Sequence, residues 1–502
     1  MKNALGRYVP EGFKPFVGSK DYLNHSRTTE KVIYSENKGN KLLRSISEAF
    51  DALGITDSMT LSFHHHLRNG DLVMNLVCEE IRKRGLKDIT IAASSIFPNH
   101  RVLIDCIENG NVTNIYTSYF NGGAAKAVSE GKLKGLLYMD THGGRSRAIE
   151  SGDIKIDVAF IAVPASDAQG NGNGYSGPSA CGSLGYAIPD MLYAKKKVVV
   201  TDNLVDEVAK PVIQAPYIDY VVVVDKIGDA SGIESGTTRI TRDPVGLKIA
   251  EKTAALLDEL GLLEDGFAMQ TGAGGTTLAV TKFIRDIMLK KNIKARFASG
   301  GITRYHAEML AEGLIEKIYD VQCFDLGGVK SIASNPNHIE ISAFQYGNPY
   351  EDAIVNHLDF VILGATEIDL NFNVNVTTAT TGLIMGGSGG HSDTANGAKV
   401  TVVVSPLMKS RLPIIRPEIT TVTTPGEDVD VFVTERGIAI NPRRTDLLEK
   451  LQGSRLKIVP IEELYKLSLG YTGVPESKPR NGRIIGVVRY RDQTVIDTLY
   501  QM

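Results

Sequence analysis

Asp157-Val158-Ala159-Phe160-Ile161-Ala162 and Asp359-Phe360-Val361-Ile362-Leu363-Gly364 decide how this chain of 502 residues is read. Each is an acidic residue followed by an apolar run of strand length. They lie 202 positions apart. At the same offset Asp167 meets Asp369, Asn171 meets Asn373, Asn173 meets Asn375, Lys197-Val198 meets Lys399-Val400 and Pro211 meets Pro413. No gap is needed between 157 and 211. Upstream, Asp51-Ala52-Leu53-Gly54 falls on Asp258-Glu259-Leu260-Gly261, and downstream residues 218–222 fall on 429–433. A shared spacing over most of both halves identifies a tandem duplication.

Within each half, strand-like and helix-like stretches alternate. Residues 41–50 have helical periodicity and stop at Gly54. Met59-Thr60-Leu61-Ser62-Phe63 reads as a strand, 71–84 as a helix and 88–93 as the next strand. That is a βαβ unit with a right-handed crossover. The expected fold is α/β: two open, mostly parallel sheets covered by helices on both faces. Residues 1–40 read as an N-terminal arm, 41–243 as the first α/β domain and 244–502 as the second. The boundary is set at Thr241-Arg242-Asp243-Pro244, where proline suits the first turn of a helix. Ligands of such sheets bind beyond the carboxyl ends of the strands, so a cleft between the halves is the expected site.

Composition narrows the function. A net charge of −3 lacks the basic surface that nucleic acids or anionic membranes demand. Cys78, Cys106, Cys181 and Cys323 form no CxxC pair and read as reduced thiols. The first residues have no apolar leader core, and the longest apolar runs, such as 220–224, are far too short to span a bilayer. A cytoplasmic protein is expected.

Three glycine-rich stretches lie in the second half: Gly386-Gly387-Ser388-Gly389-Gly390-His391-Ser392-Asp393, Thr271-Gly272-Ala273-Gly274-Gly275 and Ser299-Gly300-Gly301. One such stretch could be a plain turn. Three at strand ends suggest backbone N–H groups gathered against a ligand, as an anion nest or an oxyanion hole. Aligning the copies sets His65-His66-Leu67-Arg68 at the place of 271–274, and Leu184-Gly185-Tyr186-Ala187 at the place of 386–389. An amide-rich wall would then face a His/Arg wall, which suits an anion. His64, His65 and His66 are adjacent, so along a strand they alternate faces and no metal site is expected. Gly172-Asn173-Gly174-Tyr175-Ser176-Gly177 matches GxGxxG, but Pro178, Gly182 and Gly185 follow where a dinucleotide fold needs a helix. A P-loop pattern is absent.

Val163-Pro164-Ala165-Ser166-Asp167-Ala168-Gln169-Gly170-Asn171, Thr117-Ser118-Tyr119-Phe120, the loop 386–393 with Gly397-Ala398-Lys399-Val400, and Val433-Thr434-Glu435-Arg436-Gly437-Ile438-Ala439 resemble motifs of the CoA-transferases. In order and length, nearly the whole chain resembles the citrate lyase alpha-chain family within that superfamily. The resemblance implies two CoA-transferase-like domains and an activity: exchange of acetate for citrate on an acyl-carrier-protein thioester. It implies the lyase beta chain and the acyl carrier (gamma) chain as partners, within an oligomer. No cofactor is then held tightly by this chain. The thiol belongs to the carrier's CoA-like prosthetic group, or to CoA.

One departure stands out. Many CoA-transferases carry a catalytic Glu where this chain has Ser299, so a glutamyl thioester is excluded there. A citrate carboxylate would attack the acetyl thioester directly, giving a mixed anhydride that the released thiolate then opens. Amide donors at Gly274, Gly275, Gly387 and Gly389, with Ser299, are the catalytic candidates. Each such donor is worth about 3–4 kcal/mol of barrier. Substrate-binding candidates are Ser62, His64, His65, Arg68, Thr271, Gly300, Gly301 and Ser388. Gly272, Gly386 and Gly390 are assigned to the prosthetic group. Arg145, Arg147 and Arg304 are further cations for citrate, and Glu435 is the nucleophile to test if one exists. The alternatives are an acyl-CoA hydrolase, a transferase for another carboxylate, or a non-catalytic effector-binding protein.

Overall fold

Valine-rich runs such as Lys196–Thr201 and Val400–Val404 are buried along nearly their whole length, as expected of parallel strands with helices on both faces. In the computed structural model, which describes residues 1–24, 28–234, 238–476 and 480–502, these runs form two large sheets. The first sheet runs in the order Leu42–Leu43, Tyr220–Val223, Lys196–Thr201, Val158–Ala162, Thr60–Phe63, Ile89–Ala93, Val112–Thr117, Leu137–Met139, Ile484–Arg489, Val495–Tyr500. The second runs in the order His338–Glu340, Ile315–Cys323, Ala295–Ile302, Phe267–Thr271, Phe360–Gly364, Val400–Val404, Val431–Val433, Ile438–Ile440.

From Tyr220–Val223 to Leu137–Met139, each strand has a counterpart in the second sheet in the same spatial order. The duplication is therefore visible as topology. It is also visible in single hydrogen bonds. Asp167 Oδ1 accepts from the N–H groups of Gln169 and Asn171, and its Oδ2 from Asn171 Nδ2. Asp369 repeats this with Asn371 and Asn373. Asp157 caps the Thr60 N–H as Asp359 caps that of Ala268.

The gapless offset does not persist through the next strands. Val158 pairs with Lys196, whereas Phe360 pairs with Val400. Lys197 N–H donates to Asp219 Oδ2 and Thr401 N–H to Asp430 Oδ2, so Thr401 is the counterpart of Lys197. The match of Lys197 to Lys399 is therefore two residues out. Gly172 bridges Ile213 where Val374 bridges Thr424, so by Pro211 the offset has grown to 211 and Pro413 is not its counterpart. A slip of two preserves which face each side chain takes, so the residue pattern hid it. The same correction applies at the loops. Leu61 pairs with Val158 and Met269 with Phe360, which sets Gly272 opposite His64 rather than His66.

Sheet membership also differs from the division expected at residue 243. Ile484–Arg489 and Val495–Tyr500 form an antiparallel hairpin that joins the first sheet alongside Leu137–Met139. The N-terminal arm crosses both halves. Phe16 N–H donates to Val495 O, Arg7 Nη2 to Ile419 O and Ile33 N–H to Leu192 O. Separate apolar cores fill the two halves, and a smaller cluster holding Tyr186, Phe297, Val321 and Tyr346 lies between them. Among the described residues, no helix is long and apolar enough to cross a membrane.

Candidate active site

The carboxyl ends of both sheets meet face to face, and the loops that leave them interlock. His65 follows the strand Thr60–Phe63 and bonds Ser94 Oγ through Nδ1 at 2.6 Å; Ser94 follows Ile89–Ala93. From the other half, Gln322 Nε2 donates to His65 O at 2.9 Å. The His65 ring lies 4.8 Å from Tyr186 and 5.5 Å from His142, centroid to centroid. His142 follows Leu137–Met139 and packs 4.3 Å from Tyr186.

Arg68 occupies the left-handed region, with φ 51°, at the start of a short 3-10 turn. Its guanidinium carbon lies 4.7 Å from the Phe324 ring centroid and 5.2 Å from that of Phe97. Phe324 in turn closes on Gly301, where a Cβ would come within 2.0 Å of the ring. Gly300 has φ +97° and touches the Gln270 amide. Gln270 Nε2 donates to Tyr346 Oη at 2.9 Å, and Tyr346 Oη lies 2.1 Å from where a Cβ on Gly390 would be. His65, Arg68, Gly300, Gly301, Gly387 and the Gly389-Gly390 pair are thus linked by direct contacts through Phe97, Phe324, Gln270, Tyr346, His142 and Tyr119.

The electrostatics differ from the expected His/Arg wall. Burial holds His64 down to about 4 and His142 down to about 3, and it holds His65 and His66 well below the usual 6.5. These imidazoles are neutral at pH 7, so His64 and His65 are not cations for an anion. Burial lowers Arg68 to about 10, which leaves it charged. Ser62 and Arg145 are spent internally. Ser62 Oγ donates to Asp190 Oδ1, while Arg145 reaches Asp190 Oδ2 at 3.0 Å, Ser62 Oγ at 3.0 Å and Ala92 O at 2.9 Å. Arg147 engages Asp153. Arg304 sits near Glu308 on an exposed helix.

The glycine loop divides into spent and open amides. Gly389 N–H donates to Ser118 O at 2.9 Å, and Gly389 O accepts from His142 N–H at 2.8 Å. Gly389 is therefore a link between the halves, and its N–H is not an oxyanion donor. Gly386 O accepts from Phe120 N–H. Gly387 N–H has no hydrogen-bond partner among the described residues. A Cβ at Gly387 would strike Ser118 O at 2.4 Å, so only glycine allows this approach. Ser388 Oγ caps the following helix, His391–Gly397, by accepting from Ser392 N–H at 3.3 Å. Asp393 then ties that helix to the first half. Its Oδ1 accepts from Thr141 Oγ1 and its Oδ2 from Gly143 N–H, both at 2.8 Å. His391 donates from Nε2 to Gly364 O and accepts at Nδ1 from Thr424. Burial holds it near 4, the neutral form this tautomer needs.

Ser299 is 2 % exposed, and its hydroxyl has no hydrogen-bond partner among the described residues. Side chains alternate along a strand. Phe297 belongs to the cluster with Tyr186 and Tyr346, so Ser299, two residues on, faces the same way. Thr271 contacts His306 Nε2 at 3.5 Å, and Gly272 N–H donates to Ile362 O at 2.7 Å. Neither group is open to a ligand. Gly274 is the N-cap of the helix Gly275–Lys291 and supplies no side-chain cap. Gly275, the first residue of that helix, lies beside Arg239 and Thr241, and neither glycine is within the ring of contacts around Arg68. Glu435 accepts from Leu407 N–H at 3.0 Å, which is a structural role.

Among the described residues, Asp320, Cys323 and His338 are a buried group whose ligand-type atoms lie within 4.8 Å of one another. Cys323 Sγ and His338 Nε2 each approach Asp320 Oδ2 at 3.0 Å, so hydrogen bonds hold them together. Residue reasoning had not picked out His142, Gln270, Phe97, Phe324, Tyr186 or Tyr346. A signal existed for His142 alone: it stands at a strand end, before the pair Gly143-Gly144. The others carry no such mark: Gln270 lies on the strand Phe267–Thr271, Tyr346 on the short helix Ala343–Gly347, and Phe97, Phe324 and Tyr186 on loops.

Comparison with known proteins agrees with this geometry. The family model described as "Citrate lyase, alpha subunit (CitF)" matches residues 39–502. The chain is 45% identical to the citrate lyase alpha chain of Haemophilus influenzae over 467 residues, covering 93% of each chain. It is 44% identical to that of Escherichia coli over 480 residues, covering 95% of this chain and 94% of the relative. Among solved structures it superposes on the alpha subunit of citrate lyase from Streptococcus mutans, crystallised in complex with citrate. The TM-score is 0.95 at 45% identity, over 99% of each chain. The alpha subunit of a malonate decarboxylase from Acinetobacter baumannii shares the fold, with a TM-score of 0.62 at 16% identity over 89% of this chain and 87% of that one.

Proposed function

This chain belongs to the citrate lyase alpha-subunit family, and on that premise we propose that it exchanges acetate for citrate on an acyl thioester at the junction of its two sheets. The observation that carries the proposal is Arg68: a buried guanidinium held between Phe97 and Phe324, beside the bare backbone of Gly300 and Gly301. A carboxylate is the natural partner of such a group, because the arginine fork matches both of its oxygens.

The reaction then runs in two acyl transfers. A citrate carboxylate oxygen attacks the acetyl carbonyl carbon, the C–S bond breaks, and the thiolate leaves a mixed anhydride behind. The thiolate attacks the citryl carbonyl, and acetate departs with the electrons of the C–O bond. Both steps place negative charge on a carbonyl oxygen. Gly387 N–H is one of the open amides in the glycine loop, and Gln270 and Ser299 are the side-chain donors on two neighbouring strands of the second sheet. A preorganised donor of this kind lowers the barrier by about 3–4 kcal/mol. Holding citrate against the thioester supplies up to about 7–11 kcal/mol more. Ser299 has no carboxylate, so no glutamyl thioester forms there.

The same reading gives the chain an acyl carrier protein and a lyase beta chain as partners, a CoA-like thiol supplied by the carrier or by CoA, an oligomeric assembly and a cytoplasmic location. Incubation with acetyl-CoA and citrate tests it: citryl-CoA is expected, with acetate released only when citrate is present. Acetate release without citrate would make the protein a hydrolase. A hydride-reduced residue after borohydride treatment would overturn the direct route.

A further inference from the structure

A basic trough lies one residue away from the ring of contacts around Arg68. Arg239, Arg242, Arg304, Tyr305 and Lys330 line a cavity of about 890 Å³. A second cavity, of about 510 Å³, shares Ile240, Arg242 and Tyr305 with it and adds Lys282 and Arg285. The acidic groups along the trough are mostly engaged. Glu234 holds Arg239 at 3.2 Å and Glu312 holds Arg285 at 2.8 Å. Asp325 is spent on the backbone N–H groups of Arg304 and Gly328, at 2.7 and 2.8 Å. Arg242 and Lys330 make no ion pair among the described residues. The helix Gly275–Lys291, which has no side-chain cap at its start, lines the second cavity through Thr281, Lys282 and Arg285. Thr241 N–H donates to Gly275 O at 3.0 Å, fixing the cationic segment against that helix end.

The trough connects to the site through two short bridges. Phe324, which lies under Arg68 and against Gly301, is followed directly by Asp325 of the trough lining. Arg304 follows closely on Gly300-Gly301-Ile302, and its Cβ would lie 2.6 Å from a Cβ on Gly327. A ligand with its acyl end at Arg68 and an anionic tail would therefore lay that tail across Arg242 and Lys330.

We propose that this trough holds the phosphate groups of the arm that carries the acyl thioester, with Arg242 and Lys330 as their cationic partners. The proposal rests on the transferase reading above and adds the place where the thioester donor is gripped. Arginine binds phosphate bidentately and lysine as a point charge, and both cations are open to an incoming arm.

The test compares acetyl-CoA with acetyl-pantetheine, which has the same reactive end and no phosphates, on wild type and on Arg242→Glu/Lys330→Glu. Expected for the variant is a KM for acetyl-CoA raised at least tenfold, with kcat, the KM for citrate and the KM for acetyl-pantetheine unchanged. The salt dependence of the acetyl-CoA KM should also flatten. An equal loss with both thioesters, or none with acetyl-CoA, overturns the proposal. So does a loss seen only with a protein-borne thioester, which would assign the cations to a protein surface instead. Calorimetry of CoA binding separates this idea from the transferase reading. A wild type that binds CoA and exchanges nothing refutes the reaction, while the variant's weakened CoA binding still supports the trough.

Discussion

Arg491 Nε lies 3.2 Å from Asp393 Oδ1, and neither side chain is exposed to solvent. Arg491 sits in the turn of the C-terminal hairpin. Its other nitrogens reach Asn396 Oδ1 at 2.6 Å, Tyr22 Oη at 3.1 Å and Gly347 O at 3.1 Å. Asp393 in turn holds Thr141 and Gly143. One ion pair thereby joins the arm, both halves and the carboxyl end behind the glycine loop. Arg491→Met leaves a buried carboxylate unpaired and should cost about 3–5 kcal/mol, read from urea unfolding. Adding Asp393→Asn should recover part of the loss. A single variant within 1 kcal/mol of wild type would show the link to be dispensable.

Gly390 has no room for a side chain, because Tyr346 Oη occupies the Cβ position at 2.1 Å. Gly390→Ala should leave the protein folded, at an overpacking cost of about 1–3 kcal/mol. It should break the Tyr346–Gln270 bond and lower kcat at least tenfold. Gly390→Ala/Tyr346→Phe removes the clashing hydroxyl and should recover stability. An unchanged kcat in the single variant would mean that Gln270 needs no help from Tyr346.

Arg68→Met tests the anion site. A hydrogen bond to a charged group contributes about 1.5–3 kcal/mol, so citrate binding should weaken roughly ten- to hundredfold by calorimetry. The trough at Arg242 should still bind CoA. Unaltered citrate affinity would move the carboxylate site elsewhere.

Protonation makes two predictions of opposite sign. His391 is held near 4 by burial, against 6.5 when free. As pH falls below 6.5, the unfolded chain takes up a proton that the folded one refuses, so stability is lost on the acid side. Glu340 is pushed up to about 8 by burial between the halves, from 4.5. It keeps its proton in the fold, and stability is lost as pH rises from 4.5 through 8. Relative to wild type, His391→Gln should therefore gain about 2 kcal/mol between pH 7 and pH 5. Glu340→Gln should gain as pH rises from 5 to 8. Urea titrations at three pH values check both, and flat differences would mean that these groups are solvated.

The fold was readable from the repeat because polar turn residues such as Asp167 and Asp369 keep their identity along with their hydrogen bonds. The two-residue slip was not, since valine strands look alike at a period of two. In the site, Arg68, Gly300 and Gly301 were legible as charge or bare backbone at strand ends. Gln270, Tyr186 and Tyr346 were not, because their roles depend on which distant loop they meet. The charge on His64 and His65 was misread for a related reason. Residue type supplies a usual pKa, but burial between two halves decides the protonation state.

The hairpin of residues 484–500 has a consequence for synthesis. Its first strand covers Leu137–Met139, which stands at the border of the first sheet until then. On a ribosome making about 5–20 residues per second, that border waits more than 340 residues, or roughly 17–70 seconds, for its neighbour. An unpaired strand edge invites association with other chains. Nascent chains of this protein are therefore expected to depend on a chaperone until the last twenty residues emerge, and truncation just before residue 484 should yield aggregates rather than a smaller folded protein.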